Sequence, residues 1–112
     1  EGDLLLIVGA AKNKCRKLLI SSRSFAAASP IWSEMLVTQS ISSTSMPTEF
    51  QLPDDDAEAL CLMLQVAHLA LDNVPYSISF DMLYNLAGLC EKYDTIHLIR
   101  RFLPEWIQQL LS

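Results

Sequence analysis

A chain of 112 residues is one domain's worth, and folding at this size removes roughly two thirds of the unfolded surface from water, enough for one core without metal or disulfides. With 51% hydrophobic and 19% charged residues, three Gly and five Pro, the composition excludes a disordered tail, a collagen-like repeat and a Gly-rich linker. Eight Lys plus Arg against 13 Asp plus Glu leave a net charge of −5, which repels phosphate backbones and argues against nucleic-acid binding by bulk charge.

Leu4 to Val8 is a β-rich apolar run, and Lys14 to Ser21 follows after Ala11-Lys12-Asn13, so two antiparallel strands joined by a hairpin are predicted. In the second strand Cys15, Lys17 and Leu19 point one way, Arg16, Leu18 and Ile20 the other. Ser29-Pro30 is a helix-start signal, because Ser accepts from an orphan amide and Pro brings a fixed φ with no amide to satisfy. Two short helices breaking at Ser29 are therefore expected. Thr38 to Thr48 is rich in hydroxyls that bond their own backbone, and is expected to be a mobile loop. Phe50-Gln51-Leu52 is long enough for a brief third strand, which Pro53 ends.

Asp54-Asp55-Asp56 precedes an apolar helix, where carboxylates favour the positive end of the helix dipole and one of them caps a free amide. That helix, about Ala57 to Leu71, is apolar nearly all round and so should be the central one. Asp72-Asn73-Val74-Pro75 breaks it. Ser79 or Asp81 starts another, with Leu83, Leu86, Ala87 and Cys90 on one stripe. After Asp94-Thr95 the helical spacing of Ile96, Ile99, Leu103, Trp106, Ile107 and Leu110 meets Pro104, which predicts a kinked helix or two short ones. No repeat or second domain is visible, so residues 1–112 read as a single unit.

The order of elements and the residues filling them resemble the BTB/POZ domain. Leu18 to Leu36 (LLISSRSFAAASPIWSEML) is similar to the family signature, with Phe25, Ala26, Ser29, Trp32, Met35 and Leu36 at its positions. Asp3-Leu4-Leu5-Leu6 resembles the opening Asp-Val-x-Leu strand. Leu52 to Asp56 and Leu86 to Asp94 resemble the versions common in fungal members. The similarity covers nearly the whole chain. It implies an α+β fold, a small three-stranded sheet capped by five or six helices, and a non-enzymatic protein–protein interaction domain. Such domains usually form homodimers through the first strand and first two helices, which here points to Asp3, Leu4, Ser22, Phe25, Ala26 and Ile31. Two departures are notable: Ser21 and Ser22 replace the family's His and following basic residue, and Gln39 to Ser43 lacks the apolar-x-Glu element of cullin-binding members. A substrate adaptor docking a cullin ubiquitin-ligase scaffold is therefore the alternative reading.

The expected partner is another protein, with no nucleic acid, membrane or small-molecule substrate. Catalytic, cofactor-binding and metal residues are expected to be absent. Cys15, Cys61 and Cys90 form no CxxC pair and read as reduced core residues of an intracellular protein, in the cytoplasm or the nucleus. A thiol enzyme or hydrolase is the third reading: Cys61 and His68 stand about 10 Å apart along one helix, at ~1.5 Å per residue, too far for a dyad. Cys90 and His97 straddle the Asp94-Thr95 joint, where spacing leaves a contact open. No Ser lies in a GxSxG elbow. Trp32, Trp106 and Tyr93 read as packing, whereas Phe25, flanked by Ala26 to Ala28, suits either a self-association surface or the core. Charge is uneven, +2 over residues 1–38 and −7 over 39–112, so a basic hairpin faces an acidic helical half.

Overall fold

Leu4, Leu6 and Val8 alternate with Leu5 and Ile7, and this period of two puts every other side chain on one face of a strand. The computed structural model, which describes residues 2–12, 15–40 and 48–112, forms that strand as β1 (Leu4–Val8). It lies between antiparallel β2 (Arg16–Ile20) and parallel β3 (Thr48–Leu52). Leu4 pairs with Ile20, Leu6 with Leu18 and Phe50, and Val8 with Leu52, so one face of the sheet is a continuous apolar floor. Gly9 leaves β1 with φ 84°, a backbone setting that costs glycine little. A 3₁₀ turn, Ala10–Lys12, follows it.

Helices cover that floor, and the fold is α+β. α1 (Ser22–Ala28) and α2 (Pro30–Ser40) meet at Ser29. The Ser29 hydroxyl accepts from the Trp32 amide at 3.1 Å, capping α2, and donates to the Tyr93 carbonyl at 2.5 Å. α2 continues through Thr38, further than the hydroxyl-rich composition predicts, with the Thr38 hydroxyl donating to the Glu34 carbonyl at 3.0 Å. The remainder of the expected mobile loop, residues 41–47, lies outside the described residues.

α3 (Ala57–Ala67) is the central helix, with Asp56 as its N-cap accepting from the Ala59 amide at 2.9 Å. It ends four residues before the expected Leu71 because Leu69 turns left-handed, at φ 61°. His68, at that end, uses both ring nitrogens. Nδ1 donates to the Leu64 carbonyl at 2.8 Å, and Nε2 accepts from the Ser21 amide at 3.0 Å, so the imidazole joins the end of α3 to the start of α1. α4 (Phe80–Tyr93) starts on the Ser79 hydroxyl, which accepts from Met82 at 3.0 Å, and ends at left-handed Asp94. Pro104 separates the last segment into α5 (Ile96–Ile99), a 3₁₀ turn, and α6 (Leu103–Leu111), where it occupies the first turn and no ladder amide is lost. No described helix is long and apolar enough to cross a membrane.

The core is built on aromatics. Phe25 stacks on Trp32 with centroids 4.4 Å apart, meets Phe50 edge-on at 6.3 Å, and Trp32 leans on Tyr93 at 5.3 Å, so α1, α2, β3 and α4 share one ring cluster. Cys90 is buried in this core, Cys61 half-buried, and Cys15 exposed just before β2, so the expectation of three core cysteines is corrected at Cys15. Ser29→Ala removes both a cap and a side-chain donor to the buried Tyr93 carbonyl, and urea denaturation should read a loss of about 2–3 kcal/mol with the secondary structure retained.

Candidate interaction surface

Asp3 sits just before β1 and faces the first residue of α1. Its carboxylate accepts from the Ser22 amide at 2.7 Å and from the Ser22 hydroxyl at 2.6 Å, clamping the start of the sheet to a helix N-terminus. The amide and the hydroxyl of one serine thus engage both oxygens of the carboxylate without a basic residue. The Ser22 hydroxyl and then the Ser22 amide hold the Asp3 carboxyl below its ordinary value of 3.8.

Of the six residues assigned to an interface from sequence, the structure leaves Asp3 and Ile31 exposed and Ser22 and Ala26 half-buried. Leu4 and Phe25 are 0% exposed and belong to the interior of the subunit. For Phe25 the physical reason is the ring cluster: the small side chains beside it let α1 close onto Trp32 and Phe50 within one chain, leaving nothing for a second chain to touch. Leu4 is enclosed because β1 is the middle strand and its even-numbered side chains all face the helices.

Among the residues whose side chains are described, the outer surface of the α1–α2 pair therefore consists of Arg23, Ala27, Pro30, Ile31, Glu34, Val37 and Thr38. Beside it, between α2 and β3, runs a groove of about 520 Å³ lined by Ile31, Glu34, Met35, Thr38 and Glu49.

The acidic triplet divides its labour. Asp56 caps α3, while Asp55 is 3% exposed and accepts from Lys92 Nζ at 2.6 Å and from the Tyr93 phenol. Burial, and then this bond to a carboxylate, push the Tyr93 phenol well above its ordinary value. Sequence reasoning missed the pairing because its members are 37 and 38 positions apart and no local pattern links them. The two histidines considered as bases are engaged by backbone groups. His97 Nε2 bonds the Ala28 carbonyl at 2.8 Å, and burial pushes the Cys90 thiol up, which keeps it protonated.

Two outcomes follow from this geometry. Because the folded Asp3 carboxyl lies below its unfolded value, its contribution is complete above the ordinary value of 3.8 and is lost as pH falls through the folded one. The protection factor of the Ser22 amide, its exchange rate relative to the unfolded chain at the same pH, should fall over that acid range in the native chain, and Asp3→Ala should show the lower protection already at neutral pH. Phe25→Asp should unfold the subunit, and Phe25→Ala should cost about 3–5 kcal/mol in chemical denaturation, as for other large buried aromatics. No family model and no curated protein matches this chain.

Proposed function

We propose that the chain is a protein–protein interaction domain of the BTB/POZ kind, with no chemistry of its own, that self-associates through the outer surface of α1 and α2 and recruits another protein. The observation that carries this reading is the two-sidedness of α2. Its inner side packs Trp32, Met35 and Leu36 against the core, yet its outer side presents Pro30, Ile31 and Val37 with Glu34 and Thr38 between and beside them. A surface helix normally puts polar residues outward, and a helix apolar on both sides is one that is covered on both. Ala27, exposed on α1, adds a small side chain to the outer surface of the pair, over which a second helix can approach closely. The residue resemblance of Asp3 to Leu6 and Leu18 to Leu36 to the BTB/POZ signature points the same way.

A second copy is the simplest cover, since a two-fold axis lets one patch complete its twin. Size exclusion with light scattering, at tens of micromolar, should give a dimer. Ile31→Asp should weaken it at least about 30-fold, since an unpaired carboxylate forced into an apolar contact costs about 2 kcal/mol or more. Diluted to where the native chain is itself monomeric, the variant should melt near it, because Ile31 is exposed in the subunit. A native chain that stays monomeric at those concentrations rejects self-association.

A further inference from the structure

The sheet ends on one side at β2, and the phase of its hydrogen bonds decides what that edge offers. The Gly9 amide donates to the Leu52 carbonyl, so the odd residues of β1 face β3 and the even ones face β2. With Leu4 opposite Ile20, it follows that Arg16, Leu18 and Ile20 bond β1, while the amides and carbonyls of Lys17 and Leu19 face outward. Ser21, next in this alternation, confirms the direction: its amide points away from β1, to His68 Nε2. Among the described residues no hydrogen bond reaches the outward groups of Lys17 or Leu19.

Beside this edge lies a groove of about 300 Å³, bordered by Lys17 to Ile20 on one side and by Cys61, Leu64, Gln65 and His68 of α3 on the other. Leu19 stands 58% exposed over it. Backbone groups awaiting a ladder, next to an apolar trough with room for side chains, are the two requirements for adding a strand. We infer that the outer edge of β2 accepts an extended peptide of alternating acidic and apolar residues as the fourth strand of the sheet.

Charge selects this occupant. Arg16 and Lys17 are the charged residues of β2 and both are exposed; Arg16 shares a pocket with Asp56 and Glu58, which leaves Lys17 as the cation of the strand with no acidic neighbour there among the described residues. Two β2 edges pairing about a two-fold axis run antiparallel: centred on Lys17 they set Lys17 against its own copy, which like-charge repulsion opposes, and centred on Leu18 they set each Lys17 against Leu19 with no partner for its charge. An acidic strand in this place sets its carboxylates on the outer face of the sheet, where Lys17 lies, and leaves its apolar residues for the trough side, where Leu18 and Ile20 lie. The site shares no residue with the α1–α2 surface, so a monomer that binds the peptide keeps this inference and rejects self-association.

The test uses a fluorescent peptide of alternating Glu and Val, about ten residues long so that it spans the edge. Controls are its alternating Lys and Val counterpart and a version N-methylated at every second residue. The acidic peptide should bind, protect the Lys17 and Leu19 amides from exchange, and weaken with added salt. The N-methylated and Lys-bearing peptides, and the Arg16→Glu/Lys17→Glu double variant, should each lose at least about tenfold in affinity. Leu19→Pro, which removes an outward amide without touching the inner ladder, should abolish binding; if that variant does not fold, the N-methylated peptide decides alone. The inference is overturned by no binding at millimolar peptide, by equal binding of the Lys-bearing peptide, or by protection that excludes Lys17 and Leu19. Salt-sensitive self-assembly lost in the double variant, with no peptide binding, overturns it in favour of a second copy.

Discussion

The hydroxyl of Ser29 is where the helical half of the molecule is joined, because it meets two demands that no apolar side chain could meet. The chain has to reverse between α1 and α2, which strands the first amides of α2, and the last turn of α4 ends inside the core with a carbonyl unpaired. One oxygen, capping Trp32 and donating to Tyr93, resolves both. His97, reaching the Ala28 carbonyl, adds a second tie at the same place. The aromatic cluster can then close, since Phe25, Trp32 and Tyr93 are carried by the elements that these bonds fix together. Ring stacking supplies the bulk of the attraction and the hydrogen bonds supply the geometry, a division expected when apolar burial is non-directional.

Much of this was legible in the residues. Ser29-Pro30 announced the break, Ser79 the start of α4, and the acidic triplet a cap, because each of these signals acts over three or four residues and needs no distant partner. The limits of legibility have the same cause. Asp55 looked like its neighbours until the fold brought Lys92 and Tyr93 to it, and His68 gave no sign that its second nitrogen would serve α1. The end of α3 was missed because a left-handed leucine has no sequence signal; glycine or asparagine is the residue that usually marks such a stop.

The surface was harder to read than the core. Phe25 among alanines has the same pattern whether the helix that approaches belongs to the same chain or to another, and only the position of Trp32 separates the two. Ile31, one residue before a fully buried tryptophan, emerges on the outside through helical phase alone. The exposed positions of the α1–α2 pair thus follow from the burial of their neighbours. The edge of β2 is likewise a consequence of register, since a shift of one residue in its pairing with β1 would turn Lys17 and Leu19 inward and Leu18 out.

Two tryptophans divide the interior between them. Trp32 lies against Phe25 and Tyr93 under the sheet, whereas Trp106 stacks on Phe102 at 5.5 Å and ties its indole nitrogen to the Pro75 carbonyl at 3.0 Å. Each indole is held in a different set of neighbours, so the chain carries two optical reporters of its own, one for the sheet-side helices and one for the carboxy-terminal pair. Replacing either with phenylalanine leaves the other to tell whether both regions melt in a single step or part company.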